Sequence, residues 1–166
     1  MNALEIIFVL FTTVLGMELF AWAVHKYIMH GWGWGWAWHR DHHEPHTGLL
    51  ERNDLYAVVF SVIATALFTA GALWSPLLWW ISMGITVYGL IYAFIHDGLV
   101  HQRFMHWVPR KGYAKRLVQA HKLHHATVGK EGGVSFGFLF AVKPAKLKTQ
   151  LRQQVAEKRA ELRVPI

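Results

Sequence analysis

Long apolar blocks alternate with short polar stretches along this chain. Ala3 to Val24 form the first block. At about 1.5 Å per residue they predict a helix of roughly 33 Å, enough to cross a hydrocarbon layer. Leu55 to Trp74 and Leu77 to Ile95 are two further blocks without a charged residue. Ser75-Pro76 separates them, which predicts a tight helical hairpin. Residues 132–142 are apolar but too short to span alone, so they read as a buried or re-entrant segment, or as part of a fourth span. The polar remainder predicts a helix from about Tyr113 to Ala126 and a charged surface helix over Pro144 to Leu162. The expected fold is an all-α integral membrane protein, one membrane-embedded domain over residues 1–166. Its three spans carry a histidine-rich helical cap.

Local chemistry refines the boundaries. Residues 31–38 read Gly-Trp-Gly-Trp-Gly-Trp-Ala-Trp. The glycines argue against a stable helix there. The tryptophans suit the headgroup layer, with a substrate-lining role as the alternative. Asn53 or Asp54 is a natural N-cap for the second span. Glu18 lies deep in the first span. A carboxylate in that position is either a functional group or a hydrogen-bonded helix contact.

Charge fixes an orientation. Seventeen Lys and Arg stand against ten Asp and Glu, a net charge of +7. These basic residues share a chain with membrane-length apolar runs. The expected contacts are anionic headgroups or an acidic protein, and no nucleic acid. If the second span returns the chain, spans one and three end on the same side. All seventeen basic residues then fall on that side, and the N-terminal segment and the Ser75-Pro76 turn have none. By the positive-inside rule that face is cytoplasmic. The N-terminus lacks the features of a cleavable leader, so a multi-pass protein of a bacterial inner membrane is expected. No cysteine is present, which excludes disulfides, thiolate metal sites and iron–sulfur clusters.

The histidines carry the chemistry. His39, His42 and His43 form an H-x-x-H-H segment, and His121, His124 and His125 form a second. In a helix, positions i, i+3 and i+4 share a face, so each segment can aim three imidazoles at one point. His25 with His30, and His96 with His101, follow spans one and three. A five-residue step turns an α-helix by about 500°, so either these pairs flank a metal pair or the helix loosens between them. The four clusters take ten of the twelve histidines. His46, beyond the helix-breaking Pro45, and His106 are held as extra ligands or neighbours of ligands. Asp97 is a candidate for orienting a ligand imidazole, its alternative a helix-end hydrogen bond.

Ten imidazoles exceed what one four-coordinate zinc can use. Five per metal suit two ions of higher coordination number. Haem would need two axial ligands and leave most of the histidines idle. The Glu-x-x-His pairs of soluble di-iron bundles and the H-E-x-x-H helix of zinc proteases are absent. Two first-row metals in an all-nitrogen shell fit best, and redox chemistry on an inert apolar substrate favours iron. A haem-binding or metal-transporting membrane protein remains the alternative from another class.

The order His25-x4-His30, His39-x2-His42-His43, His96-x4-His101, His121-x2-His124-His125 resembles the fatty acid hydroxylase superfamily. The stretches 53–60 (NDLYAVVF), 96–103 (HDGLVHQR), 109–113 (PRKGY) and 134–139 (VSFGFL) are similar to its carotenoid-hydroxylating branch. The resemblance covers roughly Met17 to Leu147. It implies a non-haem di-iron monooxygenase whose ten motif histidines are the iron ligands. It implies O₂ as co-substrate and two electrons from a ferredoxin and its reductase. It implies a membrane-dissolved carotenoid hydroxylated at C3 of each β-ionone ring, taking β-carotene to β-cryptoxanthin and zeaxanthin, or canthaxanthin to astaxanthin. Related lipid desaturases, fatty acid or sterol hydroxylases and carotenoid ketolases are the alternatives within the same chemistry.

Overall fold

A computed structural model of the chain describes residues 1–44, 48, 50–127 and 129–162. His46 lies outside the described residues. Within them the fold is all-helical, with no strand. The elements are α1 (Ala3–Ala23), α2 (Gly33–His39), α3 (Asp54–Leu73), α4 (Pro76–Tyr92), α5 (Gly112–His124) and α6 (Pro144–Glu161). Two of them run on as π-helix: α1 through Val24–Met29 and α4 through Ala93–Val100. With these extensions, three helices are long and apolar enough to cross a membrane: Ala3–Met29, Asp54–Leu73 and Pro76–Val100. Most of their surface faces outward as bare hydrocarbon, with Ile7, Phe8, Phe11, Val62 and Leu90 all exposed.

Helix starts follow local chemistry. Asn2 and Glu5 form a reciprocal capping box on α1. Pro76 opens α4 at a position where its missing N–H costs nothing. The expected N-cap of α3 is different. Asn53 occupies the position but makes no cap hydrogen bond, because its side chain is turned to His39. Asp54 instead accepts from the Glu51 backbone N–H and grips Arg103 with both oxygens, at 2.8 Å each.

Helix α4 packs against both α1 and α3. Small residues allow the close approaches. A Cβ at Gly71 would stand 2.3 Å from the Trp79 backbone, and one at Gly84 would stand 2.7 Å from Thr13. Ser82 adds a buried hydrogen bond to the Ala64 carbonyl at 2.6 Å. The Asp54–Arg103 pair ties the start of α3 to the end of the third span. The first and third spans therefore finish at the same end of the bundle, where α2, α5 and the histidines lie.

One expectation is corrected and one open choice is decided. Residues 33–39 do form a helix despite three glycines nearby. Gly35 sits where a Cβ would meet the Ile28 carbonyl oxygen at 2.1 Å, so close packing requires glycine. Tyr56 donates to the Gly35 carbonyl, and edge-on Trp34–Trp38 and Trp38–Tyr56 contacts hold the helix down. Segment 132–142 is the buried segment rather than part of a fourth span, with Val134, Phe138 and Ala141 buried. It is an irregular strip held under the bundle by Glu18.

Glu18 is almost fully buried, at 2% exposure. Its Oε1 accepts from the backbone N–H groups of Phe138, Leu139 and Phe140, and its Oε2 accepts from the Tyr88 hydroxyl. The carboxylate thus joins α1, α4 and the strip. Of the two readings open from sequence, this is the hydrogen-bonded contact. Glu18→Leu should strand four donors and cost about 3 kcal/mol or more. Thermal unfolding of the purified protein checks this, and an unchanged midpoint would contradict it.

Candidate metal centre

The two π-turns solve the problem of the five-residue spacing. In each, the backbone bond closes from i+5 to i: His30 N–H donates to the His25 carbonyl, and His101 N–H to the His96 carbonyl. The wider turn brings both members of each pair to one side. The imidazoles of His25 and His30 then sit 5.2 Å apart, and those of His96 and His101 4.5 Å apart.

The H-x-x-H-H segments do not aim three rings at one point. Each divides its rings between two groups. His25, His30, His39, His43 and His124 form one group, with ligand nitrogens all within 4.8 Å of one another. His42, His96, His101 and His121 form the second on the same criterion. His125 stands beside the second, its Nε2 2.8 Å from that of His121. In the first segment the helix tightens to 3₁₀ geometry over Arg40–His43, which changes the angular step between His39, His42 and His43; in the second, His121 and His124 divide from within the regular helix α5. His106 is exposed and belongs to neither group.

Every ring of the first group gives its Nδ1–H to an oxygen that can only accept. His25 donates to the Phe136 carbonyl, His30 to Lys130, His43 to Thr127 and His124 to Val134. His39 donates to Asn53 Oδ1 at 2.7 Å. In the second group two acceptors are carboxylates: His42 donates to Glu51 and His96 to Asp97. Asp97 also lies 3.7 Å from the Arg103 guanidinium. A carboxylate makes its imidazole a stronger electron donor than a carbonyl does, so the two groups differ in character.

These acceptors fix the tautomer, and the tautomer tests the fit to a metal. With Nδ1 protonated, Nε2 carries a bare lone pair. Yet Nε2 atoms approach each other at 3.2 Å for His25–His39, His30–His124 and His39–His43, and at 3.0 Å for His42–His96. Such pairs repel unless a cation lies between them. The donor set therefore fits metal ions, and its all-nitrogen chemistry suits first-row transition metals.

The surroundings keep the rings neutral. Burial is the main cause that holds His39, His42, His121 and His124 well below the ordinary imidazole range, with repulsion from neighbouring rings added to it. His43 is pushed down to about 4, again chiefly by burial. Aromatic rings close the space. Phe138 stacks on His25, and Phe136 covers His25, His30 and His124. Trp36 packs on His30 and His43, whereas Trp32 and Trp34 face outward.

Sequence reasoning missed Glu51 and the imidazole role of Asn53. Both are polar residues just ahead of an apolar span, and that position was the available signal. The carbonyl acceptors at Thr127, Lys130, Val134 and Phe136 leave no trace in residue identity.

The fatty acid hydroxylase family profile matches residues 10–143. A β-carotene hydroxylase of a Paracoccus species is 59% identical over 84% of this chain and 86% of its own length. One from Pantoea ananas is 55% identical, covering 88% of this chain and 83% of its own. A chloroplastic β-carotene 3-hydroxylase of Haematococcus lacustris is 45% identical over 74% of this chain and 39% of its own longer sequence. No solved structure matches. With nine histidines in two groups that could hold metal ions, His125 beside them, and a family match across most of its length, the chain belongs to the fatty acid hydroxylase family.

Proposed function

We propose that this chain is a membrane-bound carotenoid hydroxylase acting at C3 of β-ionone rings. It would convert β-carotene through β-cryptoxanthin to zeaxanthin, with canthaxanthin to astaxanthin as the same chemistry on a 4-keto ring. The observation that carries this reading is the pair of imidazole groups gathered at one end of three lipid-length helices. The names of the relatives support the substrate class.

In this reading His25, His30, His39, His43 and His124 bind one iron, and His42, His96, His101, His121 and His125 bind the other. Two bound irons supply O₂ activation and redox chemistry, so that C–H, O₂, two electrons and two protons give C–OH and water. The protein's own part is to position and to exclude water. The Nδ1 acceptors of His25, His30, His39, His42, His43, His96 and His124 hold those rings in the tautomer that presents Nε2. Phe136 and Phe138 wall the first group with apolar surface. The spans let a polyene stay in the bilayer while one ring end reaches the centre.

Residues 1–166 act as a single domain in a bacterial inner membrane, with the centre on the cytoplasmic face where the basic residues gather. Arg110, Lys111, Lys115, Arg116 and Lys122 form a basic surface on and before α5. It suits an acidic ferredoxin, which with its reductase would supply the electrons.

Four outcomes are expected. In β-carotene-producing bacterial cells the chain should yield zeaxanthin, and His124→Ala at equal expression should leave β-carotene unchanged. The purified wild type should hold two irons per chain by elemental analysis and the variant fewer, whereas His106→Ala should retain both metal and activity. Charge reversal at Lys111, Lys115 and Arg116 should lower ferredoxin-driven turnover by about tenfold at low salt while membrane insertion persists, because surface charge acts mainly on encounter. Finally, acid should destabilise the metal-free protein. Above pH 6.5 the rings are neutral whether the centre is assembled or not. Below it the unfolded chain takes up protons that the buried rings resist, so stability falls from pH 6.5 toward the folded value of about 4 at His43. Thermal melts across that window check the slope.

A further inference from the structure

The two imidazole groups are held by different kinds of oxygen. In the first, the Nδ1–H acceptors are four backbone carbonyls and the Asn53 carboxamide, all formally neutral. In the second, His42 donates to the Glu51 carboxylate and His96 to the Asp97 carboxylate. The Glu51 side chain is 7% exposed, so water and salt screen little of its charge.

The wider surroundings add to this difference. Asp54 is a third carboxylate beside the second group, close enough to act on His96. Arg103 answers with one positive charge: it grips Asp54, lies 3.7 Å from Asp97 and is acted on by Glu51. Three carboxylates against one guanidinium leave this side negative. Beside the first group the charges stand one against one. Lys130, whose carbonyl orients His30, rests its ammonium on the Gly31 carbonyl. Glu18 spends its four hydrogen bonds on Tyr88 and the backbone of residues 138–140, and none on an imidazole.

The supports differ as well. Glu51 and Asp97 stand nine residues and one residue from the rings they orient, just ahead of α3 and in the π-extension of α4. The carbonyls of the first group belong to residues 127, 130, 134 and 136, past the end of α5 and outside any helix. A dication gains most from negative charge that is near, buried and already in place. Only the second group offers it.

We propose that the group of His42, His96, His101, His121 and His125 takes its metal ion first and holds it more tightly, with Glu51 and Asp97 as the positioning residues that set this order. The inference rests on the two-metal reading above and not on the substrate. A carboxylate behind an imidazole strengthens the ring as a donor and offsets part of the incoming charge. Loss of such a partner weakens a metal site by about 10- to 100-fold, which is the gap expected between the groups. The first group fills second, against repulsion from the ion already bound.

The test equilibrates the full chain in lipid nanodiscs with Co²⁺ buffered by a chelator and counts bound cobalt by elemental analysis. Cobalt suits all-nitrogen sites, and no turnover is needed. The wild type should fill in two separate steps. Two ions bound at one free concentration would overturn the proposal, and that measurement needs no variant to fold. Repulsion between ions splits even equal sites, so single-site chains assign the order. His30→Ala cripples the first group and His101→Ala the second. The ion left in His30→Ala should bind about 10- to 100-fold more tightly than the ion left in His101→Ala. Equal affinities, or the reverse order, would overturn the proposal. Adding Glu51→Gln and Asp97→Asn to His30→Ala should close the gap, because each carboxamide keeps the shape and loses the charge. A gap that persists would overturn it as well. Zeaxanthin formation in cells reports on the hydroxylase reading separately. A chain that makes zeaxanthin with two equal sites loses this inference alone, and one that loads in order without zeaxanthin keeps it.

Discussion

The structure turns on an electrostatic conflict that side chains alone do not relieve. Seven imidazoles are pinned through Nδ1–H to oxygens that cannot donate back. Their Nε2 lone pairs are thereby driven toward one another at close range. Burial removes the easy remedy, protonation, by disfavouring the charged ring. Cations remain as the resolution. The acceptors are therefore as much a part of the centre as the histidines.

Bringing these rings together takes departures from regular helix. The π-turns at the ends of α1 and α4 align pairs that an α-helix would splay. The 3₁₀ turn after α2 divides one H-x-x-H-H segment between the two groups. Glu18 then clamps the strip that supplies the carbonyls of Val134 and Phe136. Spans, strip and histidines form one mechanical unit, with α4 at its centre.

The sequence made the spans legible because twenty apolar residues in a row have few other uses, and α3 and α4 begin and end within a few residues of the expected bounds. The histidine clusters were legible as candidate metal ligands by number and spacing. Their grouping was not. The i, i+3, i+4 rule puts rings on one helix face but does not make them meet at one point, and even the regular helix α5 sends His121 and His124 to different groups. The H-x4-H spacing did contain the answer, since five residues is the hydrogen-bond step of a π-helix. Helix α2 escaped prediction because glycine propensity was weighed without the tertiary contact that demands Gly35. Glu18 could be flagged as costly, but its partners lie 70 and 120 residues away.

Those separations bear on how the protein comes into being. His25, the first of the clustered histidines to be synthesised, is oriented by a carbonyl 111 residues later, and His30 by one 100 residues later. The three apolar helices are complete by Val100, before any of α5 or the strip exists. A nascent chain can thus have all its spans in the bilayer while its early histidines have neither their partners nor their fixed tautomer. Assembly of the centre is necessarily a late event, after translation has passed Phe136. A chain that ends ahead of the strip keeps its three apolar helices but lacks the carbonyls that orient His25, His30 and His124.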